Sequence, residues 1–566
     1  VYENRSKFRL TEEEKMVLED TYRGFVRSGA ALSQDDKAKL RKLNEELSLL
    51  SVQFGQNLLA ETNAFRLVID RHEDLAGLPD GIVEQAAALA KNMNLEGKWV
   101  FTIQYPIMEP FLKYAENRKL REKLFTAYFM KGDNDNERDN KSIIARIARL
   151  RLERSKILGY RTYADFALER SMAKTPERVM NFLGQVWDAA IPAAKAEVKA
   201  MQEIINREGG QFKLAPWDWW YYAEKIKKEK YDLDDEITRP YFRIDNVISG
   251  MFYVANRLYN LTFRVRNDIP KYHQDVVTYE VSRNGRHVGI LMIDNYPRES
   301  KRGGAWCGAL RGQSRDINGK MITPVVTMVT NSTPPGADKP SLLTADEANT
   351  LFHEFGHALH QLLSNSTYPS VSGTSVPRDF VELPSQIMEH WVLEPEVLQV
   401  YAKHYQTGEV IPSEIVDKLE RAGKFNTGFT TVEFLAAALL DMEYHTLTEP
   451  TDIDIRQFEK KAMDKYGLPD EIKPRYRSTY FNHIWSSGYA AGYYSYYWSE
   501  MLDADAFLAF KETGDIFNRN VAAKFENEIL SKGGTRDPVK MYVAFRGKEP
   551  GIDALLINRG LKKSGI

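Results

Sequence analysis

A chain of 566 residues that is 43% hydrophobic, 28% charged and 11% aromatic is globular in composition and too long for one core, so two or more subdomains are expected. Its formal charge of -2 gives no electrostatic case for nucleic acid or an anionic membrane as partner, and no apolar run reaches the roughly eighteen residues of a spanning helix. Cys307 is the only cysteine, so no internal disulfide can form and any bound metal must be held by nitrogen and oxygen. That usage fits a cytoplasmic protein, or a periplasmic one if a leader precedes Val1, and Cys307 itself reads as a small buried hydrophobe.

Over residues 11–61, Leu40, Leu43, Leu47, Leu50, Phe54 and Leu58 recur at three- and four-residue spacing, which predicts one long amphipathic helix. Residues 65–70 read as a short strand or an extended linker. Helical periodicity returns over 80–93, 110–131 and 139–157, and Pro176 stands where a proline opens a helix running to about Arg207. The run APWDWWYY at 215–222 is dense in aromatics and reads first as interhelical packing, second as a substrate wall. Residues 1–270 are thus expected to form a largely helical lobe.

From Tyr272 the pattern changes. Residues 276–281 and 287–293 flank Asn284-Gly285, a hairpin signal, and PVVTMVT at 324–330 reads as a further strand that an extended peptide backbone could pair with. Gly303 and Gly304 lead into Ala305-Trp306 between them. Thr333-Pro334-Pro335-Gly336 then turns the chain, and Thr344-Ala345-Asp346-Glu347 matches a capping box. Helices resume from Asp379 to the C-terminus, with residues 434–442 buried on most sides. Residues 271–566 are expected to be the catalytic region.

The helix opened by that box carries His353-Glu354-Phe355-Gly356-His357. Side chains four apart share one helix face about 6 Å apart, close enough for two imidazoles to reach one metal ion, with Glu354 beside them to take a proton from an activated water. His360 lies roughly 10 Å further along the axis from His353 and suits packing or hydrogen bonding instead. A third ligand is sought downstream, where Glu382 stands between Val381 and Leu383, an environment that is costly for an unpaired acid. Glu389 and Asp379 are its rivals, and Glu389 also suits a role orienting a ligating imidazole. Further on, Tyr489, Tyr493 and Tyr496 are spaced four and three, hence on one helix face, and phenol donors suit the oxyanion of a tetrahedral intermediate.

The segments HEFGHALH, SGTSVPRDFVELPSQIMEHW and HIWSSGYAAGYYSYYWSE together resemble the thimet-oligopeptidase family of zinc metallopeptidases, and the PRDFVE form resembles its peptidyl-dipeptidase (dipeptidyl carboxypeptidase) branch. The resemblance runs over essentially the whole chain. It implies a mainly α, two-lobed fold with a deep central channel and a small β-sheet beside the metal-binding helix, on a chain whose relatives begin upstream of Val1. By motif position it implies that His353, His357 and Glu382 bind one zinc ion, that Glu354 polarises the water, that Tyr489 and Tyr496 stabilise the oxyanion, and that His483 and Tyr493 line the substrate site. The expected activity is release of C-terminal dipeptides from oligopeptides by a monomer, with an endo-acting oligopeptidase as the alternative and an inactive peptide-binding protein as the remote one. A dipeptidase must bind a free carboxylate, and Arg378, next to the third-ligand segment, is the candidate because its guanidinium suits a bidentate carboxylate.

Overall fold

Gly29 interrupts what periodicity alone reads as a single helix. Its φ of 89° lies in the left-handed region, and Ser33 then caps a new start through the Asp36 N–H, so the run divides into helices Glu12–Arg27 and Gln34–Ala64. The computed structural model describes every residue except 234, 299–300, 302–303, 337 and 564–566, which leaves Gly303 outside the described residues. Within it the chain forms two compact units, each gathered from separated stretches. One comprises Val1–Ser28, Leu233–Gly423 and Ser495–Asn558; the other comprises Gly29–Asp232, Lys424–Tyr494 and Arg559–Ile566.

In the second of these units, strand β1 (Leu67–Ile69) pairs antiparallel with β2 (Trp99–Phe101). The helix expected over 110–131 is two, Tyr105–Tyr114 and Arg118–Phe129, because the Asn117 side-chain oxygen Oδ1 accepts the Lys119 and Leu120 N–H groups and starts the second. Leu67, Phe101, Phe111, Leu112 and Leu124 form a buried core on which Trp217 and Trp220 pack, and Trp219 stacks on Phe429 at 4.3 Å. The aromatic run is therefore packing. Pro176 opens the helix Pro176–Arg207 with Thr175 as its cap, and the helix Thr427–His445 lies against it at Gly428, where a Cβ would fall 2.3 Å from Ala194 N.

The first unit holds the main sheet. Its strands are β3 (Leu261–Val265), β4 (Val277–Arg283), β5 (Arg286–Asp294), β6 (Trp306–Arg311) and, after the small pair β7 (Ser314–Arg315) and β8 (Met321–Ile322), β9 (Val325–Val329). Asn284 and Gly285 both take positive φ, 51° and 75°, as the tight turn between β4 and β5 requires. The order is β3-β4-β5-β9-β6, with β5 and β9 parallel. The strand expected to pair with substrate is β9, and it is flanked on both sides; its buried Val326, Met328 and Val329 mark an interior strand. The edge on this side of the sheet belongs to β6, and the opposite edge to β3.

Against this sheet lies the helix Ala345–Leu362. Thr344 and Glu347 close the capping box, and the second Glu347 oxygen accepts the N–H and hydroxyl of Thr333 at 2.6 and 2.7 Å. Leu351, Phe352, Phe355 and Leu359 are buried, which fixes the helix's rotation.

Candidate metal and catalytic centre

His353 and His357 project from one face of that helix with ring centroids 5.1 Å apart. Their Nε2 atoms lie 3.3 and 3.0 Å from one oxygen, Oε2 of Glu382, and His353, His357 and Glu382 are the cluster suited to a metal among the described residues. Glu382 stands between the short helix Arg378–Val381 and the helix Leu383–Glu389, 5% exposed. What lets it reach both rings is Gly356: a Cβ there would lie 2.1 Å from the Pro384 carbonyl oxygen and 2.6 Å from Ser385 Cα. The glycine inside the histidine motif therefore allows the two helices to touch.

The donor set of two imidazole nitrogens and one carboxylate oxygen fits a zinc-type ion. Ligands about 2.0–2.2 Å from a tetrahedral centre stand roughly 3.4 Å from each other, close to the spacing seen here. Without an ion the same atoms would be held by a proton. Burial opposes charge on His353, but Glu382 and Glu389 outweigh it and raise the imidazole well above its usual range; Glu382 stays well below the carboxylate range despite burial, because of His357 and His353. His353 Nδ1 lies 2.6 Å from Glu389 Oε1, and Glu389 Oε2 accepts from Asn349 at 2.8 Å. Glu389 thus fixes the ring and leaves Nε2 pointing at Glu382.

Glu354 is 5% exposed, and its Oε2 meets no donor among the described residues. Burial raises its pKa, with the imidazoles of His353 and His357 opposing. Cys307 on β6 is close enough that, after burial itself, the Glu354 carboxylate pushes its thiol further up, so the cysteine is a neutral neighbour at the sheet edge. His360 is fully buried with neither ring nitrogen partnered among the described residues, and burial holds its pKa to about 3; it packs, and does not hydrogen-bond.

The tyrosines divide between the units. Tyr496 lies near the start of the helix Ser495–Lys511, which is tied to the third-ligand segment through Ser499 Oγ donating to Asp379 O and Gln386 Nε2 donating to Tyr496 O. Tyr489 and Tyr493 belong to the other unit and precede that helix, in a run of turns, so the expected single helical face does not exist. Ala491, with φ of 52°, breaks the regular backbone. Asp441 holds the break: its carboxylate accepts the N–H groups of Ala491, Gly492 and Tyr493 at 2.8, 3.0 and 3.0 Å. Behind it, His445 Nδ1 donates to Asp441 at 2.8 Å and Arg151 donates to His445 Nε2 at 2.9 Å, while burial keeps His445 below its usual pKa. His483 packs among Tyr476, Tyr489 and Tyr493 at 4.8, 5.6 and 5.3 Å, and burial, with Arg475 adding to it, pushes its pKa to about 4.

Asp441 is the residue that sequence reasoning passed over. Its signal was an acid inside the apolar run FLAAALLDM, where only a strong set of donors makes burial tolerable. Arg378 is exposed at the start of its short helix.

Residues 111–561 match the profile of peptidase family M3. The chain is 40% identical over 566 residues to the dipeptidyl carboxypeptidase of Escherichia coli (strain K12), a match covering 99% of this chain and 82% of that protein. It is 37% identical over 562 residues to oligopeptidase A of the same organism, covering 98% and 82%. An X-ray structure provisionally described as oligoendopeptidase F aligns with a TM-score of 0.51 at 15% identity, over 97% of this chain and 83% of that one, a likeness of fold alone.

Proposed function

Because the chain belongs to peptidase family M3, and is a metallopeptidase by that membership, we propose that it uses one zinc ion to release dipeptides from the C-terminus of oligopeptides. The observation that carries this reading is the meeting of His353 Nε2, His357 Nε2 and Glu382 Oε2 beside a buried carboxylate, Glu354. These three residues would hold the ion, which when bound supplies a Lewis acid that eases ionisation of water and polarises the scissile carbonyl.

Glu354 takes the proton of the attacking water on its carboxylate and passes it to the leaving amine nitrogen. Its Oε2, which meets no protein donor among the described residues, is free for that traffic. Tyr489 and Tyr496 donate their phenol O–H groups to the oxyanion, and His483, neutral at pH 7, lines the substrate path with Tyr493. The outer edge of β6, carrying Cys307 close to Glu354, offers backbone N–H and C=O groups to an extended peptide, the role first given to β9.

Metal dependence is tested by chelation. Dialysis against a chelator should abolish hydrolysis, and titration with zinc should restore it with a break at one ion per chain. Full hydrolysis by protein shown by elemental analysis to be metal-free would contradict the assignment. An endo-acting oligopeptidase is the second reading, since the oligopeptidase A relative is nearly as similar as the dipeptidyl carboxypeptidase.

A further inference from the structure

His390 and Asp503 form a buried polar pair that neither the metal cluster nor the chemistry above uses. His390 closes the helix Leu383–Glu389 at its C-terminal end, and Asp503 lies inside the helix Ser495–Lys511, 2% exposed in the run MLDADAFLAF. His390 Nε2 stands 2.7 Å from Asp503 Oδ1, and its ring stacks on Phe507 at 4.4 Å with the planes 10° apart. A carboxylate in so apolar a helix is costly to bury without a donor, and the imidazole supplies one.

The pair joins two other ties between the helix Ser495–Lys511 and the segment bearing the third ligand. Ser499 Oγ donates to Asp379 O at 3.1 Å, ahead of Glu382 in the chain, and Gln386 Nε2 donates to Tyr496 O at 3.2 Å, one turn beyond Glu382. Tyr496, Ser499 and Asp503 are spaced three and four, so one stripe of their helix faces the ligand segment. Tyr496 is half-buried at the head of that stripe, between buried Ser495 and buried Tyr497. A helix held near its start by a long, flexible glutamine can still slide and turn about its axis. His390, stacked on Phe507 and bonded to Asp503 two turns and about 10 Å further along, removes both freedoms. All of these residues belong to the same compact unit as the metal cluster.

We propose that the pair of His390 and Asp503 positions Tyr496, by setting the rotation and height of the helix Ser495–Lys511 against the segment of Glu382 and so the direction of the phenol O–H. His390 and Asp503 are positioning residues that act through Tyr496. The inference rests on the reading of Tyr496 as an oxyanion donor. Such a donor is effective only within a narrow range, about 2.7–3.1 Å from the oxyanion, so a small turn of the helix lowers the rate without altering how the peptide binds.

The test is a double-mutant cycle on the full, metal-loaded chain with one oligopeptide substrate. Y496F should lower kcat by about 10²–10³-fold. H390F keeps a ring against Phe507 and removes the donor; it should lower kcat by about tenfold or more, with KM changed by less than about twofold and metal content unchanged. In the Y496F background the same change should alter kcat by less than about twofold, because the phenol it positions is gone. Equal fold losses in the two backgrounds overturn the assignment, since a role in general stability or in the metal shell does not depend on the phenol. An unchanged kcat in H390F overturns it as well. A Y496F enzyme with full kcat overturns the oxyanion reading and this inference with it. If H390F does not fold, H390F/D503L decides: it leaves no carboxylate buried without a donor at position 503, and it should show the same loss in kcat, again absent beside Y496F. Full kcat in H390F/D503L overturns the proposal.

Discussion

Glu354 and its neighbours differ in how they spend their oxygens. Glu382 turns one oxygen to both imidazoles and takes the Ser385 hydroxyl at 3.0 Å on the same atom, Glu389 spends both oxygens on His353 and Asn349, and Glu354 keeps Oε2 unpartnered among the described residues. A carboxylate already satisfied by protein donors is a poor proton carrier; an unsatisfied one in a dry site is a good one. Glu354→Gln should therefore leave metal content unchanged and lower kcat by about 10²–10⁴-fold, since the amide can neither take nor return the proton. Substantial residual turnover with the metal retained would remove Glu354 from that role. At this scale the sequence was informative, because helical spacing converts H-E-x-x-H directly into a geometry. Spacing alone favoured Glu382 over Glu389 and Asp379 only modestly, and motif resemblance made the choice, since the decisive contact, at Gly356, is a close approach between two separate helices.

At the scale of elements, the tyrosine segment was legible in composition and misread in conformation. Spacing of four and three suggested one helix face, but Asp441, about fifty residues earlier, gathers three consecutive N–H groups and holds Ala491 at positive φ. A turn stabilised by a remote carboxylate leaves no periodic signal in its own sequence. Asp441→Asn removes the charge from these bonds and one acceptor oxygen, and hydrogen bonds to charged groups contribute about 1.5–3 kcal/mol. The expected result is a lower melting temperature and a fall in kcat larger than the change in KM, because the segment bearing Tyr489 and Tyr493 is no longer fixed. An unchanged kcat in D441N would show that the turn does not position the tyrosines for chemistry. The strands teach a similar lesson: the apolar run PVVTMVT marked β9 as a strand, yet its interior place follows from β5 and β6 lying on its two sides.

Over the whole molecule, each compact unit is assembled from stretches separated by as much as a third of the chain, and the first change of unit falls at Gly29, inside what read as one helix. Periodicity reports the local face of each helix and carries no record of which distant helices share a core. The main sheet beside the histidine helix and the helical character of the rest were readable, and residues 65–70 already suggested the short strand β1; its partner β2 and the pair β7–β8 were too short to leave a pattern. The residues proposed for the site are likewise scattered along the chain: His353, His357, Glu382 and Tyr496 belong to one unit, and His483, Tyr489 and Tyr493 to the other. The activity proposed for this arrangement is most directly tested by the sizes of the products from one unblocked oligopeptide, followed in time. The account predicts free dipeptides appearing stepwise from the C-terminus, with the shortened peptide as the next substrate. Internal fragments of varied length appearing from the first turnover, at the same rate from the amidated peptide, would contradict it.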